Sequence, residues 1–181
     1  MSAYILPPDA AVPPRRDCEQ TMSQTNKAEA LSHAALCAEL DDAERVILAE
    51  KMGEQTAQDG EALATEGEVR QTLFVLVSGR VEVRRAGTKG EEAVYEMKPG
   101  ECAGTRVFID ESPRMATLRS KGESHVLTLE PADVESLIES HPHIVYKVMR
   151  ALTRLTHENL LRMNRETDEL QGYFLRTGGR Y

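Results

Sequence analysis

The stretch from residue 98 to residue 117 combines groups that could bind an anion. Glycines precede a short apolar run that is long enough for one helical turn, and a Pro-Arg pair at residues 113–114 leads into an alternating, strand-like segment. Backbone N–H groups at the first turn of a helix attract an anion. An arginine arriving from the next strand can bind two phosphate oxygens with its planar fork. The residues alone therefore predict an anion cradle whose cation is Arg114.

This stretch resembles the phosphate-binding cassette of the cyclic nucleotide-binding domain, which occurs in catabolite-activator-type regulators, kinase regulatory subunits and gated channels. The family's cassette is roughly Gly-Glu-x-Ala-Leu, a short loop, and Pro-Arg-Ala/Ser/Thr-Ala. Residues 104–108 (Gly-Thr-Arg-Val-Phe) match the first half and residues 113–116 (Pro-Arg-Met-Ala) the second. The nine positions from residue 105 to residue 114 equal the family's usual glutamate-to-arginine spacing. The resemblance implies that Arg114 binds the phosphate of a cyclic nucleotide.

Two positions depart from the family's cassette. Thr105 stands where the family has an acidic residue that accepts the ribose 2′-hydroxyl, and Met115 stands where a small residue helps to select the base. The loss of one charge-assisted hydrogen bond costs about 1.5–3 kcal/mol, or roughly ten- to a hundredfold in affinity. Arg106 either neutralises a second phosphate, which would suit a dinucleotide, or pairs with Glu101 or Asp110.

A second register of the same motif is open. It places residues 100–103 (Gly-Glu-Cys-Ala) on the first half of the cassette and keeps a glutamate, but it lengthens the loop by four residues. We prefer the first register, which keeps the family's spacing. The ligand-binding residues that the resemblance implies are Gly104, Thr105, Arg106, Val107, Arg114, Met115 and Asn159. The last of these is expected near the base, which would lie under the long C-terminal helix.

Glycines divide residues 54–130 into short strand-like segments. Strands at such short intervals favour an antiparallel roll over a parallel sheet with crossover helices. The candidate strands are residues 55–58, 62–65, 72–77, 80–85, 93–97, 114–119 and 125–129. Residues 73–83 also resemble the Leu/Tyr-x-Val-x-Ser-Gly-x-Val hairpin of the same family. The expected fold class is α+β, an antiparallel β-roll or jelly-roll barrel with N-terminal helices and a long C-terminal helix.

Helical patterns flank the strands. Asn26 and the pair Asp41–Asp42 are candidate N-caps of two helices before the roll, and a short helix is expected over residues 131–140, with Pro131 in its first turn. A long helix is predicted from residue 143 to about residue 170. The expected domain covers residues 27–170. It follows a flexible, Pro-rich leader (1–26) and precedes a tail (171–181).

Two stripes run along the long helix. The stripe expected to pack onto the barrel contains Ile144, Val148, Ala151 and Leu155. The other has coiled-coil spacing and contains Val145, Met149, Leu152, Thr156, Asn159, Met163, Glu166 and Leu170. It predicts a homodimer through the 143–170 helix, which the bacterial branch of the resembled family often forms. The alternative is a single helix that caps its own domain.

Composition and charge exclude several classes of function. A net charge of −8 argues against nucleic-acid binding through phosphate neutralisation. The chain ends shortly after the long helix, whereas a helix-turn-helix domain needs about 50 residues, so we expect no DNA binding. No apolar run reaches transmembrane length, which predicts no membrane insertion. Three cysteines without CxxC spacing, and no visible secretory signal, favour a cytoplasmic protein.

Catalytic motifs find little support in this sequence. The close histidine pair, His141 and His143, lies at a helix start outside the barrel, and no Ser/His/Asp or Cys/His set has a motif around it. Asp110 and Glu111 are adjacent and are expected on an exposed loop. We therefore expect neither an enzyme nor a metal site.

Two functions remain open. In the first, the domain is a sensor that binds cAMP, cGMP, cyclic di-GMP or a related phosphate ligand and signals through movement of its C-terminal helix. In the second, the pocket is vestigial and the domain is a scaffold that binds a regulatory partner protein.

Overall fold

The structure, a computed structural model, describes residues 24–87 and 90–177, and it describes side-chain burial within residues 26–162 of these ranges. The helices are α1 (Gln24–Leu31), α2 (Asp42–Lys51), α3 (Thr105–Asp110), α4 (Pro131–Glu135) and α5 (Pro142–Thr177), with a 3-10 turn at Ala35–Cys37. The strands are β1 (Gly53–Ala57), β2 (Ala62–Ala64), β3 (Leu73–Ser78), β4 (Val81–Gly87), β5 (Gly90–Met97), β6 (Cys102–Ala103), β7 (Thr117–Ser120) and β8 (Ser124–Leu129). Nearly all of the predicted leader lies outside the described residues, and the predicted domain boundaries stay a prediction.

The strands form two four-stranded antiparallel sheets, in the orders β1-β8-β3-β6 and β2-β7-β4-β5. Strand β3 shows why the chain folds around two cores. Phe74 and Leu76 pack into a cluster that both sheets share, whereas Leu73 and Val75 point to the opposite face and pack against the helices. Because β3 is buried on both faces, its sequence is continuously apolar rather than alternating. The predicted α+β antiparallel roll with N-terminal helices and a long C-terminal helix is confirmed.

The helical core joins α1, α2 and α5 to the outer face of β3 and β8. Leu31, Leu48, Leu127 and Leu152 are completely buried there. Asp41 is the N-cap of α2, as predicted. Its carboxylate accepts a hydrogen bond from the Glu44 N–H at 2.9 Å, and the Glu44 carboxylate accepts one from the Asp41 N–H at 2.9 Å. This capping box satisfies donors that would otherwise lack partners at the helix start.

Several predicted boundaries are wrong. The strand predicted at residues 93–97 already begins at Gly90, and the short helix predicted over residues 131–140 ends at Glu135. Asn26 is not an N-cap, because α1 already begins at Gln24. The strand predicted at residues 114–119 begins only at Thr117, since the backbone of Arg114 bonds instead with Gly67 and Glu68 in the loop before β3. The long helix ends at Thr177 rather than near residue 170.

The structure agrees with one of the two predicted stripes of α5 and only in part with the other. Ile144, Val148 and Ala151 are buried as predicted, and Leu155 is half-buried. The predicted dimer seam is wrong in part, because Leu152 is completely buried against its own domain and cannot contact a second chain. Val145 is half-buried against the same core. Of the remaining seam, Met163, Glu166 and Leu170 lie outside the residues whose side chains are described.

An exposed row shares Met149 and Thr156 with the predicted seam and otherwise lies one position away from it. It contains Tyr146, Met149, Thr153, Thr156 and Leu160, of which only Thr156 is half-buried. Among the described helices, none has the length and apolarity that a membrane span requires.

Candidate functional site

A cavity of about 510 Å³ lies where α3, β5 and the middle of α5 meet. The seven predicted ligand-binding residues all line it: Gly104, Thr105, Arg106, Val107, Arg114, Met115 and Asn159. The fold therefore brings together a cassette that is contiguous in sequence and a helix residue 45 positions beyond Arg114.

Arg114 is the buried cation of the cavity, with only 5% of its surface exposed. Its Nη2 donates hydrogen bonds to the carbonyl oxygens of Arg70, at 3.0 Å, and Thr72, at 2.7 Å, and its guanidinium lies 5.1 Å from the centroid of the Phe74 ring. Burial lowers the pKa of this guanidinium from its ordinary value, and the negative charge of Glu68 opposes that shift. An arginine nevertheless keeps its charge in proteins. The buried Nε has no hydrogen-bond partner among the described residues, so a donor is left for a ligand.

The first turn of α3 supplies a second set of donors. Gly104 precedes the helix with a φ of 91°, and its carbonyl accepts the first helical hydrogen bond, from the Phe108 N–H at 3.0 Å. The N–H groups of residues 105–107 therefore have no acceptor within the helix. A Cβ on Gly104 would lie 2.9 Å from Nη1 of Arg114 and 2.9 Å from the carbonyl oxygen of Thr72. Only a glycine lets the helix start pack this closely against the arginine.

The helix begins where the first register of the motif places it. Thr105 is the first residue of α3 and is 6% exposed. Glu101, which the second register would use, also lines the cavity. Its carboxylate is already engaged, because it accepts hydrogen bonds from the Tyr95 hydroxyl, at 2.7 and 2.9 Å, and from the Lys98 N–H, at 2.9 Å.

Arg106 and Met115 contact each other at the rim of the cavity. Arg106 donates from Nε to Asp110 Oδ2 at 3.1 Å and from Nη1 to Met115 Sδ at 2.7 Å. Of the two carboxylates expected as its partner, Asp110 is therefore the one that it contacts. Hydrogen bonds from Ser112, and the charge of Arg106, lower the pKa of the Asp110 carboxyl.

Three polar residues of the cavity were missed in the sequence: Tyr95, Glu158 and Arg162. Tyr95 and Arg162 are 67 positions apart and meet only through the fold, with the Arg162 guanidinium 4.2 Å from the centroid of the Tyr95 ring. One signal was available. Leu155, Glu158, Asn159 and Arg162 follow the i, i+3, i+4, i+7 spacing of one helix face.

Cys102 also lines the cavity. Burial raises the pKa of the Cys102 thiol, at the edge of the cavity, to about 12, so it is not a thiolate at neutral pH. Within residues 24–87 and 90–177, no group of three or more His, Cys, Asp or Glu side chains could hold a metal ion.

Comparison with known proteins identifies this arrangement. Residues 54–141 match the family model described as the cyclic nucleotide-binding domain. The chain contains a domain of this family. The match includes α3, Arg114 and every strand except the first residue of β1, and it ends just before α5.

Two curated relatives show how widely the domain is used. The cAMP-dependent protein kinase regulatory subunit of Yarrowia lipolytica is 31% identical over 99 residues, which are 55% of this chain and 26% of the relative. The CRP-like cAMP-activated global transcriptional regulator of Mycobacterium tuberculosis is 26% identical over 96 residues, 52% of this chain and 43% of the relative. The match thus spans less than half the length of either relative.

Solved structures confirm the predicted fold. The N-terminal domain of a transcriptional regulator from Streptomyces coelicolor superimposes with a TM-score of 0.65 at 28% identity, covering 72% of this chain and 94% of that one. A cyclic nucleotide-binding domain from Methylobacillus flagellatus gives a TM-score of 0.69 at 21% identity and covers 83% of each chain. This cyclic nucleotide-binding domain is similar to those of kinase regulatory subunits and of catabolite-activator-type regulators.

Proposed function

We propose that the domain is a regulatory sensor that binds a cyclic nucleotide, or a related phosphate ligand such as a cyclic dinucleotide, in the cavity. Arg114 carries this proposal. It is a buried cation whose Nε has no partner among the described residues, and the N–H groups that start α3 lie beside it. Because a buried charge without an opposite group is unfavourable, a phosphate would complete the site. The names of the two relatives from Yarrowia lipolytica and Mycobacterium tuberculosis both refer to cAMP.

The signal would leave the site through α5. The N-terminal half of this helix is anchored in the helical core by Ile144, Val148 and Ala151, whereas its middle forms one wall of the cavity. A ligand that contacts both α3 and α5 favours one position of the helix, and that preference couples binding to movement. We propose no catalytic step.

A second function is favoured by a specific observation. Thr105 offers a hydroxyl where the family has a carboxylate, and Met115 is 51% exposed at the rim. A domain with such a cassette could bind a regulatory protein without a nucleotide. The titration below separates these two functions.

We also propose that the domain forms a homodimer through the exposed row of α5. The Thr153 and Thr156 hydroxyls donate to the carbonyls of Met149, at 2.9 Å, and Leu152, at 2.8 Å, so both are satisfied within the helix and their methyl groups remain for packing. In the sequence, the same alternation of three and four residues continues with Met163, Thr167, Leu170 and Phe174. None of these positions is charged, as a coiled-coil seam requires.

Three further proposals concern the setting of the protein. Cys37 and Cys102 are free thiols, which supports a reducing compartment such as the cytoplasm. The net charge of −8 supports a function without DNA binding. We propose neither membrane insertion nor a tightly bound cofactor.

The experiment is a calorimetric titration with cAMP, cGMP and cyclic di-GMP. We expect micromolar binding of one of them, and a loss of more than about a hundredfold in Arg114→Ala, because a buried phosphate would lose at least two charge-assisted hydrogen bonds. Arg119→Ala is the matched control, since Arg119 lies on β7 and contacts Gly60 and Glu91 rather than the cavity.

Three outcomes decide between the functions. Binding that survives Arg114→Ala would mean that the ligand lies elsewhere. No binding of any nucleotide by the folded wild type would overturn the sensor function for these ligands and leave the protein-interaction function. A folded Arg114→Lys variant that binds more weakly than the wild type, but better than Arg114→Ala, would support the phosphate contact, since lysine keeps the charge without the fork.

A further inference from the structure

Tyr95 is the one aromatic side chain among the described residues that line the cavity. Its hydroxyl donates to both carboxylate oxygens of Glu101, at 2.7 and 2.9 Å, and Glu101 is itself held by the Lys98 N–H. The ring therefore has a fixed orientation at the wall of the cavity. Burial, and the neighbouring Glu101 carboxylate, raise the pKa of the Tyr95 phenol, so it stays protonated and keeps donating at neutral pH.

A side chain of the protein itself already contacts the face of the Tyr95 ring. The guanidinium of Arg162, on α5, lies 4.2 Å from the centroid of Tyr95, and its Nη2 donates to Asn159 Oδ1 at 3.2 Å. Arg162 is exposed, and the described contacts hold it only through these two side chains. A planar cation thus covers the aromatic surface on which a nucleobase could stack.

We propose that Tyr95 is the stacking platform for the base of the nucleotide ligand, and that Arg162 covers this platform until the ligand displaces it. This inference rests on the proposed function and adds the residue that recognises the base. Stacking of a base on an aromatic side chain contributes about five- to 150-fold to affinity. An exposed cation–π contact contributes only about two- to fivefold, so a base displaces the arginine.

The exchange also links the site to α5. When Arg162 leaves Tyr95, it loses its contact with the barrel, and the Asn159 amide is no longer tied to it and can face the base. The part of the helix around residues 155–162 then loses a contact with β5. The effect is reciprocal. The contact between Arg162 and Tyr95 weakens ligand binding by a certain factor, and the bound ligand weakens that contact by the same factor.

The test compares variants at Tyr95 and Arg162 in titrations with cAMP and cGMP. We expect Arg162→Ala to bind about two- to fivefold more tightly than the wild type, because the competitor for the ring is gone. Tyr95→Leu should bind at least about fivefold more weakly, whereas Tyr95→Phe, which keeps the ring, should stay within about twofold of the wild type.

Arg150→Ala is the matched control for Arg162→Ala. Arg150 lies on the same helix and its guanidinium is 5.3 Å from the centroid of Tyr146, but neither residue lines the cavity. Its removal should leave the affinity unchanged. Weaker binding by Arg162→Ala would overturn the inference, because it would make Arg162 a ligand contact rather than a competitor. Unchanged binding by Tyr95→Leu would overturn the platform.

Hydrogen–deuterium exchange provides a readout without ligand. In the ligand-free protein, amides of residues 155–162 should exchange faster in Arg162→Ala than in the wild type or Arg150→Ala. Equal exchange in the ligand-free wild type and Arg162→Ala would overturn the role of the contact.

The two proposals fail in different ways. Nucleotide binding that depends on Arg114 but not on Tyr95 or Arg162 would overturn this inference and leave the sensor function intact. Absence of any nucleotide binding by the wild type would overturn both.

Discussion

Of the three arginines that line the cavity, Arg114 and Arg162 have different surroundings. Arg114 is 5% exposed and is fixed by two backbone carbonyls, so its position is set by the roll. Arg162 is exposed, and among the described residues its contacts are with the side chains of Tyr95 and Asn159. Side-chain contacts at the surface exchange easily, whereas a buried guanidinium bonded to backbone does not. The comparison supports our proposal that the Arg114 end of the cavity is rigid and binds phosphate, and that the Arg162 end is adaptable and responds to the base.

The largest expected effect concerns the rigid end. Gly104→Ala would place a Cβ 2.9 Å from Arg114 Nη1 and from the Thr72 carbonyl oxygen, at a φ of 91°. Strain of this kind costs about 1–3 kcal/mol before the clash is added, so we expect a loss of more than about 3 kcal/mol in the free energy of unfolding, measured with urea.

Gly122→Ala separates the clash from the backbone strain. Gly122 also has a positive φ, of 77°, but a Cβ there would meet nothing within 4 Å. It should lose only about 1 kcal/mol. Equal losses in the two variants would show that the close approach of α3 to Arg114 contributes nothing to stability.

The next effect concerns ligand preference at the rigid end. Thr105→Glu would place a carboxylate at the start of α3, where the family has its acidic residue. If the ligand carries a free ribose 2′-hydroxyl, its affinity should rise roughly tenfold or more, because a charge-assisted hydrogen bond is gained. Thr105→Gln, which has the same length without the charge, is the control in the calorimetric titration. A gain in neither variant would mean that no ribose hydroxyl faces this position.

A smaller effect is expected where α5 faces away from the cavity. Leu160→Glu would place a charge in the exposed row and should weaken self-association about tenfold or more, measured by sedimentation equilibrium. Leu161→Glu is the control, since Leu161 is 42% exposed on the same helix but lies outside the row. An equal effect of both substitutions, or a monomeric wild type, would contradict the dimer.

The smallest effect concerns the anchored half of α5. Lys147 Nζ lies 2.6 Å from the Glu44 carboxylate, and this hydrogen bond is the main cause that lowers the pKa of Glu44. A carboxyl group with a lowered pKa in the folded state stabilises the protein above its unfolded pKa, and this contribution disappears as the pH falls through the folded pKa. Glu44→Gln should therefore lose about 0.5–1 kcal/mol at pH 7.

The pH dependence tests the sign of this effect. The difference between the unfolding free energies of the wild type and Glu44→Gln should vanish below the folded pKa of Glu44. A difference that persists at lower pH would mean that the ion pair is not its cause.

The sequence predicted the rigid end of the site, but of the adaptable end it predicted only Asn159, and this difference has a physical reason. The donors of α3 and Arg114 lie within eleven consecutive residues, 104–114, so local spacing is enough to place them together. Tyr95 and Arg162 meet only because α5 crosses the cavity, and no local pattern specifies that crossing. The helix face of Leu155, Glu158, Asn159 and Arg162 was visible as spacing, but its partner on β5 was not.

The long helix shows a second limit of the sequence. Each residue turns a helix by about 100°, so the row through Leu152 and the row through Thr153 have the same periodicity and point in different directions. Periodicity predicted two stripes, but only packing against Leu31 and Leu127 in the helical core shows that Leu152 faces inward. Likewise, strand propensity extended β7 back to residue 114, although the backbone there bonds to the loop at residues 67–68.

The most direct test measures the affinity of Arg114→Ala and Arg162→Ala for the same cyclic nucleotide under the same conditions. The two arginines line one cavity, but we expect opposite changes: a loss of more than about a hundredfold in Arg114→Ala and a gain of about two- to fivefold in Arg162→Ala. Changes in the same direction in both variants, or binding that is unaffected by Arg114→Ala, would contradict a rigid phosphate-binding end and an adaptable end that responds to the base.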